Sequence, residues 1–170
     1  MTFEEYPLHD SIRGWFGRAL YFEMQKNPNI MLFTADLGYG LLDKIRDDMP
    51  NQFVNFGASE CCMIGAAVGA TLSGKIVFCY SITTFLIYRP FEFLRNYLQH
   101  EGIPVRLVGS GFGEDYLHDG ITHQPWEVEQ VMHHIFPKII TAIPFDKNDL
   151  PHLVKTMVET DKPSFLCLRR

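Results

Sequence analysis

Six short runs of β-branched and aromatic residues, separated by stretches of helical periodicity, constrain this chain more than any other feature. They are "IMLFTA" (30–35), "FVNFG" (53–57), "KIVFCY" (75–80), "VRLVGS" (105–110), "KIITAI" (138–143) and "SFLCLR" (164–169). Several are apolar at odd and even positions alike, a pattern strands adopt when both faces of their sheet are covered. Helical patterns fall between them: 11–26, with Asp10 or Ser11 as cap and Trp15, Ala19, Phe22 and Met24 among its apolar positions, then 41–48, 60–73, 88–100, 126–135 and 147–160. Strands joined by helical crossovers predict an α/β fold, a doubly wound and mostly parallel six-stranded sheet with helices on both faces. With 170 residues and neither linker nor internal repeat, the span 1–170 reads as one domain.

Composition narrows the function classes. A net charge of −5 argues against a broad nucleic-acid or anionic-membrane surface. No apolar run approaches the roughly 20 residues of a membrane span. The opening "MTFEEYPLHD" is acidic and lacks the regions of a signal peptide. Cys61, Cys62, Cys79 and Cys167 show no CxxC spacing, so reduced thiols and a cytoplasmic location are expected.

In a sheet of this kind, ligands bind beyond the carboxyl ends of the strands. The segments leaving those ends are "DLGYG" (36–40), "ASE" (58–60), "SITTFLIY" (81–88) and "GFGEDYLHDGITHQP" (111–125). The last is long and rich in Gly, His and Asp, which favours a functional loop over a connector. Each candidate also has a plain structural reading. Glu60, one residue after Ser59 at a helix start, could simply complement the helix dipole. "GSGFGE" imitates a dinucleotide fingerprint, but Glu114 replaces its third glycine. His118, Asp119 and His123 match no common metal-ligand spacing. Cys61 and Cys62 at a helix N-terminus read as small residues in a crowded turn, although such a position can activate a thiol. Phe85, Tyr88 and Phe91 have the spacing of a core-facing helical stripe.

Taken in order, these segments resemble the pyrimidine-binding domain of transketolase and its thiamine diphosphate-dependent relatives. The matching stretches are "ADLGYG" (35–40), "FVNFGASECCMIGAAVGATLSGKIVF" (53–78), "TTFL" (83–86), "PVRLVGS" (104–110), "HDGITHQPWEVEQ" (118–130) and "PSFLCLRR" (163–170). The pairing of "NFGASE" with "DGITHQP" is the specific part.

The resemblance implies a role for each candidate. A glutamate at the position of Glu60 hydrogen-bonds N1′ of the cofactor's aminopyrimidine and promotes loss of the thiazolium C2 proton. Phe85, Tyr88 and Phe91 would wrap the pyrimidine, with Tyr88 as the expected stacking partner. Asp36 would help shape the cofactor site. Asp119 and His123 would meet hydroxyl and carbonyl groups of a sugar, His123 among the catalytic residues, and Arg13 and Arg169 would hold an acceptor's phosphate. Two departures accompany these matches. Cys61 replaces the usual Gln or His after the glutamate, and Gly40 and Gly111 stand where the family places serine and histidine phosphate partners. Fewer phosphate donors imply a different acceptor, larger or unphosphorylated.

The GDG motif with a downstream Asn, through which the family's other module holds diphosphate by Mg²⁺, does not occur here. Nor do these residues include the third domain of ordinary transketolase. By resemblance, the chain is expected to be one subunit of a split enzyme, active with a separate chain carrying the GDG module and its Mg²⁺, two copies of each forming a heterotetramer. The expected reaction moves a two-carbon ketol unit from a ketose to an aldehyde, the substrates being sugars or sugar phosphates. A 2-oxo acid decarboxylase or deoxyxylulose-phosphate-synthase-like enzyme is the alternative. A regulatory module that keeps the fold without catalysis is the third reading, and a carboxylate at position 60 argues against it.

Overall fold

Val77 and Cys79 pack to one side of the central sheet and Phe78 and Tyr80 to the other, and all four are buried. In the computed structural model, which describes Tyr6 and residues 9–170, they belong to strand β3 (Ile76–Ile82). The other strands are β1 (Ile30–Thr34), β2 (Phe53–Asn55), β4 (Arg106–Ser110), β5 (Ile140–Ala142) and β6 (Ser164–Leu168). Their order is β2-β1-β3-β4-β6-β5, with every pairing parallel. Most of the opening segment, residues 1–5, 7 and 8, lies outside the described residues.

The connections carry α1 (Ile12–Lys26), α2 (Asp43–Asp48), α3 (Glu60–Leu72), α4 (Thr83–Tyr88), α5 (Phe91–Phe93) running into a π-helical segment at Leu94–His100, α6 (Val128–His134) and α7 (Leu150–Glu159). Period-two alternation in the strands separates two cores. Phe16, Leu20 and Met24 of α1, Ile45 of α2 and Val154 of α7 cover Leu32, Phe78 and Leu166. Met63 and Ala67 of α3, Leu86 of α4 and Val128 of α6 cover Phe33, Cys79 and Leu107 on the opposite face. Ser11 caps α1, its Oγ accepting from Gly14 N at 3.0 Å.

The expected and observed elements differ in two places. The helical pattern at 88–100 is interrupted, and α4 forms five residues earlier, inside a stretch whose β-branched Ile82, Thr83 and Thr84 favour extended backbone. Their threonine hydroxyls find partners across the fold: Thr83 Oγ1 donates to Gly111 O and Thr84 Oγ1 to Thr122 O, both at 2.6 Å. Pro90, which has no N–H to give, separates α4 from α5. At the sheet edge, Ile140 of β5 is half exposed, so that strand is not covered as its apolar sequence suggested.

Arg106 ties β4 to the end of α7. Its Nε donates to Met157 O at 2.9 Å, its Nη2 to Thr160 O at 2.7 Å, and its Nη1 to Pro104 O. Burial pulls its pKa down to about 10, so the guanidinium stays charged at neutral pH.

Parallel register brings the strand ends level: Thr34 lies beside Asn55 and Tyr80, Ile82 beside Ser110, and Ser110 beside Leu168. Chain order reverses between β1 and β3, which opens a crevice at their carboxyl ends.

Candidate active site

Glu60 opens α3 at that edge and is 1% exposed. Ser59 occupies the cap position without a side-chain hydrogen bond. A residue serving only the helix dipole would ordinarily face water, whereas this carboxyl turns inward. Ser81 Oγ, near the end of β3, donates to Glu60 Oε1 at 2.9 Å, and Arg89 Nη1 donates to Oε2 at 2.6 Å. Both partners offer protons to a carboxylate, which offsets its loss of water.

Arg89 follows α4, four residues after Phe85 and therefore on the same side of that turn. Its guanidinium carbon lies 3.6 Å from the centroid of the Phe85 ring. His123 meets the same ring edge-on at 4.7 Å, and its Nδ1 is 2.9 Å from Thr122 Oγ1. Glu60, Arg89, Phe85 and His123 thus form one continuous group. The rest of the aromatic stripe diverges. Tyr88 is half-buried against the α3 core, where burial and the nearby Glu127 carboxylate raise its hydroxyl pKa. Phe91, beyond Pro90, packs on Phe136 at 5.1 Å.

Asp36 follows β1 with φ of 56°, the left-handed backbone that non-glycine residues seldom adopt. Asn55 Oδ1 holds it there, accepting from Asp36 N at 2.9 Å and from Gly57 N at 3.0 Å, so one amide joins the loops after β1 and β2. Tyr39 donates its hydroxyl to Asp36 Oδ1. Strain of this kind is often found where a site has to be shaped.

Beside Asp36 lies a cavity of about 170 Å³ whose lining includes Arg13, Tyr39, Tyr80, Ser110 and Tyr116. Arg13 Nη1 donates to the Tyr116 hydroxyl at 3.2 Å, and Ser110 Oγ shares that hydroxyl at 2.7 Å. Arg13 Nε is buried and has no hydrogen-bond partner among the described residues. Arg170 also reaches Tyr116, with its guanidinium carbon 5.1 Å from the ring centroid. Arg169 goes elsewhere, 3.9 Å from Asp115 Oδ1 and over Phe145. Asp119 stands exposed in a 3₁₀ turn. No group of three or more metal-binding side chains comes together among the described residues, and His118, Asp119 and His123 form no such cluster.

Gly111 makes room for Tyr116. Its φ is +95°, and a Cβ there would lie 2.4 Å from the Tyr116 ring. Gly111→Ala should therefore unseat Tyr116 and cost about 1–3 kcal/mol, the range for a strained backbone position. Paired thermal melts check this. An unchanged melting temperature would mean that the loop accommodates the methyl freely.

Sequence reasoning missed Ser81, Arg89, Asn55 and Tyr116. A lone cation one turn beyond Phe85 was the available signal for Arg89. Tyr116 had none, because its place depends on Gly111.

The chain matches the family model described as "Transketolase, pyrimidine binding domain" over residues 11–170. It is 29% identical over 164 residues to a protein of Methanocaldococcus jannaschii named "Putative transketolase C-terminal section", covering 96% of this chain and 52% of that one. The "6-deoxy-6-sulfo-D-fructose transketolase subunit SqwH" of a Clostridium species is 29% identical over 147 residues, covering 86% of this chain and 45% of that one. Among solved structures, "Split gene transketolase, inactive beta4 tetramer" superposes with a TM-score of 0.82 at 27% identity, covering 94% of this chain and 51% of that chain. The chain thus spans about half the length of these relatives. With a matching family model over nearly its whole length and the six-stranded parallel sheet in place, this chain belongs to the transketolase pyrimidine-binding domain family.

Proposed function

We propose that this chain supplies the aminopyrimidine half of a thiamine diphosphate site in a two-chain enzyme that transfers a two-carbon ketol unit from a ketose to an aldehyde. The observation that carries the reading is Glu60: a carboxyl 1% exposed, at the carboxyl edge of the sheet, joined through the Arg89 guanidinium to the face of Phe85. A buried acid and an aromatic ring that one planar group can touch at once suit a polar heteroaromatic ring that must be both stacked and hydrogen-bonded.

Thiamine diphosphate, when bound, supplies the nucleophilic carbon and the electron sink of the reaction. This chain's residues bind and handle protons. Glu60 holds a proton at N1′, with Ser81 fixing the carboxyl's orientation. Phe85 forms the apolar wall, and Asp36 shapes the floor between β1 and β2. His123, seated against Phe85, and Asp119 face the sugar's carbonyl and hydroxyls. Arg13, and Arg169 further along the same edge, take the acceptor's anionic end. What supports that role for Arg13 is its buried Nε, which has no hydrogen-bond partner among the described residues. Mg²⁺ and the diphosphate belong to a partner chain bearing the GDG module, in an assembly of two copies of each chain about a twofold axis. A cytoplasmic location fits four free cysteines.

Co-purification with a GDG-bearing chain, followed by an assay of ketol transfer from a ketose to an aldehyde, tests the proposal. Transfer is expected only from the two chains together. Turnover with micromolar cofactor binding by this chain alone would overturn the split site. A complex that releases CO₂ from 2-oxo acids and transfers no ketol unit would overturn the reaction.

A further inference from the structure

Arg89 combines features that the proposed chemistry leaves unused. Its backbone is held, because Arg89 N donates to Phe85 O at 3.3 Å and Cys61 Sγ donates to Arg89 O at 3.2 Å. Its side chain is not confined in the same way, since it remains 43% exposed while its tip reaches a carboxyl that is 1% exposed. The guanidinium thus enters the site from solvent on a long, flexible stem.

What that tip touches is specific. Ser81 already engages Glu60 Oε1, and Arg89 takes Oε2. The same planar group covers the Phe85 ring at 3.6 Å. A flat aminopyrimidine hydrogen-bonded to Glu60 and stacked on Phe85 needs that same oxygen and that same ring face. Arginine is the side chain best suited to imitate it, being planar, ringed with N–H donors and tolerant of aromatic contact.

We infer that Arg89 is a place-holder for the cofactor's aminopyrimidine: it neutralises Glu60 and covers Phe85 until the ring displaces it towards solvent. This rests on the proposed role of Glu60 and adds a residue that sets cofactor affinity. A buried carboxylate left without a partner is costly, so the free chain needs such a group. Cofactor entry is then an exchange of one planar donor for another, and the observed affinity is lowered by the fraction of chains in which Arg89 occupies the site.

The test compares wild type, Arg89→Met and Arg89→Lys by calorimetry with thiamine diphosphate and Mg²⁺ in the two-chain complex, beside thermal melts of this chain alone. Arg89→Met should bind the cofactor about tenfold more tightly, while its free chain melts at a lower temperature. Arg89→Lys keeps the charge but not the plane and should fall between. The direction is decisive, because damage to the site weakens binding and only loss of a competitor strengthens it. Affinity that is unchanged or weaker in Arg89→Met overturns the place-holder. Should Arg89→Met fail to fold, Arg89→Lys decides, with tighter binding expected and equal or weaker binding overturning the inference. Failure of the wild-type complex to bind thiamine diphosphate would overturn the cofactor reading itself, and this inference with it.

Discussion

Glu60→Gln is expected to fold, assemble with the partner chain and bind thiamine diphosphate, yet exchange the thiazolium C2 proton about 10²–10⁴-fold more slowly. The amide keeps the shape of the side chain and can still accept from Ser81 Oγ, which lies 2.9 Å from Oε1. It cannot hold the proton that the proposed role has the carboxyl share with N1′, and it removes the anion that Arg89 meets at 2.6 Å. The change should therefore fall on proton transfer far more than on packing. Hydrogen–deuterium exchange at C2 in the reconstituted complex reads this directly. Wild-type exchange in the variant would take Glu60 out of the mechanism and return it to the helix terminus as a dipole partner.

The largest expected effect on stability lies away from the site. Arg106→Ala should destabilise the chain by about 2–4 kcal/mol, because three carbonyls lose a charged donor where water cannot easily replace it. Those carbonyls belong to Pro104, Met157 and Thr160, so the loss loosens the end of α7 from β4. The cost of burying the guanidinium, visible in its lowered pKa, offsets part of the gain and keeps the figure below the sum of three hydrogen bonds. For a domain of this size the change corresponds to a melting temperature lower by roughly 5–15 °C. Chemical denaturation checks it. A shift under about 0.5 kcal/mol, the level of an ordinary surface substitution, would mean that the three bonds contribute nothing net.

The sheet was legible because burial of the central strands on both faces is recorded locally, as in Val77, Phe78, Cys79 and Tyr80. The start of α4 was not, because Thr83 and Thr84 favour extended backbone until Gly111 O and Thr122 O accept their hydroxyls. Position along the chain singled out Glu60, Phe85 and His123, which the structure brings into one group. It could not reveal that Arg89 returns to Glu60, since that contact depends on how α3 and α4 pack after the sheet has formed. Asp36 was visible as a residue but its left-handed backbone was not, because Asn55 on the neighbouring strand imposes it. The stripe at 85, 88 and 91 assumed an unbroken helix. Pro90 breaks it, and Phe91 turns to Phe136.

The hydroxyls of Thr83 and Thr84 have a mechanical consequence. From a single turn they grip both ends of the loop that follows β4, at Gly111 and at Thr122, while Phe85 in that same turn bears on His123. Helix and loop are thereby joined as a lever with one pivot. A small tilt of α4 would therefore be felt at Gly111, Thr122 and His123 together rather than at one of them alone.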